Sequence, residues 1–232
     1  MLPLSNDNLL LVDKPKGISS FDVIRRLRRM IGKRKMGHAG TLDPLATGLL
    51  IIGIDRGTKE LQQYLGSDKT YDAKVLIGIS TETDDMEGDV TKSAAPDNLS
   101  VEAVKKVLDG MIGSITIPAP IYSAIKVDGV PLYKHARAGR DVTPPDRTMK
   151  IIQADLKNFQ CGVEEIKNIK QNFCRAKIQF EVGSGTYIRS LAVEIGRRIG
   201  FPATLADLRR TSIADLSIED AHTLEEISQL AD

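Results

Sequence analysis

From Gly37 to Gly48 the chain reads GHAGTLDPLATG, and one carboxylate, Asp43, stands in it between Leu42 and Pro44. A carboxylate among apolar neighbours is costly unless it is paired. Pro44 stiffens the backbone beside it, and Gly40 and Gly48 let the loop approach another surface closely. By spacing alone Asp43 reads first as an Asx-turn residue. Other groups offer less. The chain has three histidines and two cysteines, Cys161 and Cys174, with no CxxC and no Cys/His cluster, so no zinc site is expected. The acidic segment Glu82–Asp89 lacks the ligand order of an EF-hand and reads as a surface turn. Arg25–Lys35 holds seven basic residues and no acid, a composition suited to a phosphate backbone or to a solvated helix face.

The elements that must position these groups follow from periodicity. Leu9–Val12 reads as a buried strand that stops at Asp13-Lys14-Pro15-Lys16-Gly17. Ser20 reads as a helix N-cap, with Val23, Ile24, Leu27, Met30 and Ile31 inward and Gly32 as the stop. Met36–Gly48 reads as a loop, Leu49–Ile52 as a buried strand and Thr70–Ile79 as another strand. Ser100 caps a helix with Val101, Val104, Val107, Leu108 and Met111 inward. Asp128-Gly129 signals a two-residue hairpin. Cys174–Val182 alternates as a half-buried antiparallel strand, and a helix follows Gly183–Thr186 through about Ile199. Thr223–Glu226 is a capping box. This mixture predicts an α+β or mixed α/β domain.

Composition sets the bounds. The 232 residues are 41% hydrophobic and 27% charged, which excludes a mainly disordered chain, and there is no Trp. The formal net charge of +1 does not by itself decide for or against a nucleic-acid partner. The N-terminus has no basic region, and its apolar run is too short for a signal peptide or a spanning helix. A cytoplasmic, reduced, soluble protein is expected.

Several motifs together carry a resemblance. GHAGTLDPLATG resembles the signature loop of the TruB family of tRNA pseudouridine synthases. LLLVDKPKGISS, ending at Ser20, resembles that family's KPxG motif, and KTYDA from Lys69 its tyrosine motif. PIYSAIKVDG from Pro120 resembles its central hairpin, GTYIRSL from Gly185 its arginine motif, and Leu208-Arg-Arg210 a late one. The resemblance runs in order from about Leu9 to Ile213. It implies the pseudouridine synthase fold: α+β, with a mixed, mainly antiparallel central sheet flanked by helices and loops, as a single catalytic domain over residues 1–232. It also implies an activity, the isomerisation of the T-loop uridine conventionally numbered 55 to pseudouridine, without cofactor or metal. The expected partner is tRNA through its T-arm, with no membrane, and the enzyme is expected to be a monomer. The small C-terminal PUA domain that many members carry is not apparent before Asp232, so a short form is expected.

Residue by residue, the resemblance implies that Asp43 is the nucleophile and that Arg189 pairs with it and keeps it ionised. Alone, Arg189 reads as a surface arginine at a helix start. Tyr71 would pack on the target uracil and is a candidate for the proton transfer; alone it reads as a core tyrosine on a strand. Tyr187 and Leu208 would line the pocket, Lys14 and Pro15 would shape its floor, and His38 would stack where the flipped nucleotide leaves space. Lys33, Arg34 and Lys35, just ahead of the loop, would meet the RNA backbone. Two other functions use the same residues: a tRNA-binding or tRNA-folding protein with secondary chemistry, and an N-glycosidase that releases free uracil.

Overall fold

The computed structural model describes residues 8–231. In chain order the elements begin with β1 (Leu9–Lys14), α1 (Ser20–Met30), β2 (Met36–Ala39), β3 (Thr47–Ile54), a one-turn α2 (Gln62–Leu65), β4 (Lys69–Ile77), β5 (Ile79–Thr81), β6 (Val90–Ser93), α3 (Val101–Asp109) and β7 (Gly113–Pro118). They continue with β8 (Lys126–Val127), β9 (Val130–Pro131), α4 (Leu132–Arg137), β10 (Asp146–Ile166), β11 (Ile169–Val182), α5 (Ile188–Ile199), β12 (Ala203–Ile213), β13 (Leu216–Ser217) and α6 (Leu224–Ala231). The chain groups into two compact units, one of residues 1–72 with 208–232 and one of residues 73–207. The first seven residues and Asp232 lie outside the described residues, and with them most of the N-terminal stretch expected to lack a basic region.

In the first unit β3 is the centre. β1 pairs with it antiparallel, from Leu9 opposite Gly53 to Lys14 opposite Gly48. β2 takes the opposite edge, with Met36 across from Ile54, and β12 joins in parallel, with Arg209 beside Thr47 and Arg210 beside Gly48. After Thr47 and Gly48, β3 runs apolar and buried from Leu49 to Ile54 because both faces are covered. Leu50, Ile52 and Ile54 pack under Val23, Ile24 and Leu27 of α1 and under Leu224 and Ile227 of α6. Leu49 and Ile51 face Leu61 and Ile213 on the other side. Such two-sided burial produces a continuous apolar run rather than an alternating one.

In the second unit the sheet runs β12-β4-β11-β10-β7. The alternation read in β11 holds: Cys174, Ala176, Ile178, Phe180 and Val182 are all buried. The Asp128-Gly129 hairpin also forms, with φ of 51° and 78°. The mixed sheet flanked by helices is the fold class expected.

Four local expectations are corrected. The N-cap of α1 is Ser19, not Ser20. Ser19 and Asp22 form a reciprocal capping box, which frees the Ser20 side chain to turn inward. Met36–Gly48 is not wholly loop, because Met36–Ala39 finds the free edge of β3 and pairs as β2. Local composition does not show such a tertiary partner. The acidic segment Glu82–Asp89 is a turn but not wholly a surface one: Glu82, Glu87 and Asp89 are exposed, whereas Asp85 is buried. Nor are the cysteines reduced: Cys161 and Cys174 are register partners across β10 and β11 and form a disulfide, with Cα atoms 4.0 Å apart. A separation of 13 residues carries no sequence signal for that pairing; the hairpin register creates it.

Candidate active site

Asp43 lies in the loop between β2 and β3, and the turn after β1 holds that loop. The Ser20 hydroxyl accepts the Leu42 N–H at 2.8 Å and donates to the Leu42 carbonyl at 3.1 Å. The Gly17 N–H donates to the Pro44 carbonyl at 2.8 Å, and the Ala46 N–H to the Asp43 carbonyl at 3.0 Å. The residues on either side of Asp43 are therefore fixed by main-chain bonds, while Leu42, Leu45 and Ala46 are buried and Asp43 stays partly exposed. Lys14 is fully buried. Its Nζ donates to the carbonyls of Pro15 at 2.9 Å and Ile18 at 2.8 Å, folding the turn that supports the loop.

His38 lies on β2, half-buried, and its Nδ1 is buried without a hydrogen-bond partner. Burial, followed by the charge of Arg210, pushes its pKa below the usual imidazole value, so the ring is neutral near pH 7. Tyr71 on β4 is buried, with the Arg210 guanidinium 6.0 Å from its ring centroid. Leu208 is buried, and its carbonyl accepts the Thr47 hydroxyl at 3.4 Å. Arg210 itself was not among the expected site residues. It is fully buried; its Nε donates to the Leu49 carbonyl and its Nη2 to the Gly40 carbonyl, both at 2.8 Å. Gly48 allows this approach, because a Cβ there would lie 2.2 Å from the Arg210 carbonyl oxygen. The first unit thus gathers Asp43, Lys14, Pro15, His38, Tyr71 and Leu208, with Arg210 among them.

Lys33 and Lys35 are exposed between α1 and β2, but Arg34 is paired with Asp55 at 2.6 Å. Arg25 is likewise paired with Asp22 at 2.8 Å. The basic run is therefore less free of acid in space than it is in sequence.

The second unit holds Arg189 and Tyr187. Tyr187 is the half-buried N-cap of α5, and Arg189 is in the helix's first turn, 4% exposed. Arg189 is therefore not a surface arginine. Its Nη1 and Nη2 donate to the carbonyls of Thr83 and Tyr122, each at 3.0 Å, and its Nε is 3.9 Å from Asp85 Oδ2. Asp85 Oδ1 also accepts the Glu87 N–H at 3.0 Å. Sequence reading missed Asp85; a carboxylate two residues after a threonine in a turn carries no sign of burial. Burial pushes the neighbouring Asp84 carboxyl up to about 6; Arg189 works against that shift and Asp85 with it. An open cleft of about 780 Å³ lies beside these groups, lined among others by Asp84, Thr116, Pro118, Ser190 and Glu194. Among the described residues there is no group of His, Cys, Asp and Glu that could hold a metal, and no helix long and apolar enough to cross a membrane.

Residues 28–188 match the family model described as TruB family pseudouridylate synthase (N terminal domain). The chain is 37% identical over 226 residues to the tRNA pseudouridine synthase B of Geobacillus kaustophilus, covering 97% of this chain and 77% of that protein. It is 37% identical over 229 residues to the enzyme of the same name from Corynebacterium jeikeium, covering 97% and 72%. Among solved structures, a Cbf5-Nop10-Gar1 complex aligns with a TM-score of 0.65 at 25% identity, over 95% of this chain and 53% of that one. An H/ACA RNP bound to a substrate RNA containing 2′-deoxyuridine aligns at 0.62 and 23% identity, a likeness of fold alone. The chain spans about half the length of each of these two structures.

Proposed function

The chain belongs to the TruB family of pseudouridylate synthases, and from that premise we propose that it isomerises the T-loop uridine of tRNA to pseudouridine with Asp43 as nucleophile. The observation that carries this reading is the Asp43 loop: a partly exposed carboxylate on a backbone held on both sides by the turn after β1. The relatives are named for tRNA, and the ordered motifs of this chain resemble those of the family.

In the reaction the N1–C1′ bond of the uridine breaks and a C5–C1′ bond forms. C5 loses its proton and N1 gains one, so no net oxidation occurs and no atoms are added. Asp43 attacks either C1′ or C6 and is regenerated, as a carboxylate nucleophile in glycosyl chemistry would be. Tyr71 supports the flipped uracil and is the candidate acceptor for the C5 proton. Arg189 completes the catalytic set. Lys14 and Pro15 shape the pocket floor, Tyr187 and Leu208 line it, and the neutral His38 ring stacks against the T-loop.

The test is a T-arm hairpin incubated with the protein and analysed by mass for pseudouridine and for free uracil. Pseudouridine without free uracil is expected. Free uracil would mark an N-glycosidase, and tight binding with unchanged RNA would mark a binding protein. Asp43→Asn keeps the shape but not the nucleophile; it should abolish turnover while leaving the RNA dissociation constant within about tenfold. Full turnover by that variant would remove the covalent role.

A further inference from the structure

Arg210 is fully buried, and among the described residues no carboxylate pairs with it. A buried guanidinium without a counter-ion is costly, and even a paired one stabilises little relative to an apolar side chain. Stability therefore does not account for it. Its contacts point to the loop instead. Gly40 and Leu49 bracket the Asp43 segment, and the two arms of one planar fork hold their carbonyls at 2.8 Å each. Arginine does this with two N–H donors fixed in one plane, whereas lysine would have to reach both carbonyls from a single nitrogen on a flexible stem. The same guanidinium lies 6.0 Å from the centroid of the Tyr71 ring, at the outer limit of a cation–π contact. A Cβ at Gly40 would come within 3.1 Å of Arg210 Nη1 and 3.4 Å of Lys69 Cε, so glycine leaves room for the Arg210 guanidinium and the Lys69 stem beside the loop backbone. Lys69 is itself buried, with its Nζ on the Ser67 carbonyl at 2.6 Å.

We propose that Arg210 is a positioning residue for the reaction: it bridges the two ends of the Asp43 loop and sets that loop against Tyr71, so that the carboxylate is presented in one geometry. This rests on the reading of Asp43 as the reacting group. A misplacement of about 1 Å at a reacting group costs on the order of a hundredfold in rate. The bridge acts on the rate of the chemical step and not on RNA affinity, since neither arm of the fork faces solvent.

The experiment uses the full chain with Arg210→Lys, which keeps the charge and loses the fork, and Arg210→Met, which loses both. Single-turnover pseudouridine formation at saturating T-arm hairpin, RNA affinity, melting temperature and amide hydrogen exchange of residues 40–49 are compared with the wild type. Both variants should lose at least about tenfold in rate, keep their RNA affinity and melting temperature, and exchange the loop amides faster, while α3 and α5 amides stay unchanged. A wild-type rate in either variant overturns the proposal, as does unchanged loop exchange. If neither variant folds, Arg210 belongs to stability and the proposal falls. If Asp43→Asn turns over normally, the nucleophile reading fails on its own, and loop exchange still judges the bridge.

Discussion

Asp84 and Asp85 are neighbours with opposite situations. Asp85 has a backbone N–H and Arg189 beside it, whereas Asp84 has a positive φ of 61° and a carboxyl held up near 6. The folded value is above the ordinary value of 3.8, so the folded state holds the Asp84 proton more tightly than the unfolded state. Stability from this group is fully present below about pH 4 and is lost as pH rises through about 6. Asp84→Asn keeps the size and tolerates the left-handed backbone. It should match the wild type near pH 3.5 and exceed it by about 2–3 kcal/mol at pH 8, measured by urea unfolding. Equal stability at both pH values would show that Asp84 ionises freely. At this scale Asp43 and Tyr71 stand out in the sequence as proposed site residues because the motifs that carry them are local. Arg210 was not, since its partners Gly40 and Leu49 are 170 and 161 residues away in sequence. His38 reads as a loop residue in the sequence because the edge of β3 that makes β2 a strand is not visible around it.

Helix α1 was legible from its apolar spacing, and its basic outer face from composition. The pairing of Arg34 with Asp55 was not, because Asp55 comes 21 residues later, after β3. That pairing ranks the phosphate contacts. Arg34 already has a carboxylate, while Lys33 and Lys35 are exposed. Replacing both lysines by alanine should lower the slope of log affinity against log salt by roughly 1.4–1.8, twice the per-contact value; Arg34→Ala should change it less. Equal slopes in all three proteins would make the run a solvated face. Turnover at saturating RNA should change little, because such contacts bind ground and transition states alike. The β10–β11 hairpin makes a separate prediction. Its disulfide closes a loop of 13 residues that the ladder already closes. Cys161→Ser should therefore cost about 1–3 kcal/mol in urea unfolding, at or below the value for a free loop of that size, and leave turnover unchanged.

Taken whole, the chain divides where no linker marks the division. Asp72 and Ala73 are consecutive residues inside β4, and Asp207 and Leu208 are consecutive inside β12. Composition shifts, the usual sign of a boundary, cannot appear in the middle of a strand whose pairing continues. RNA in loops is recognised mainly by shape and splayed bases, so a folded T-arm hairpin should react far faster than an unstructured oligonucleotide of the same base order. Equal rates in a direct competition would refute recognition by shape. The parallel pairing of β12 with β3 also sets a schedule. A ribosome adding ~5–20 residues per second needs roughly ten to thirty seconds to travel from Leu49 to Arg210. Throughout that interval the emerging polypeptide carries every residue of the Asp43 loop, but not the side chain that ties the loop's ends together. The loop's ends are tied together by nearly the last strand synthesised, so a chain abandoned before residue 208 is released without the bridge.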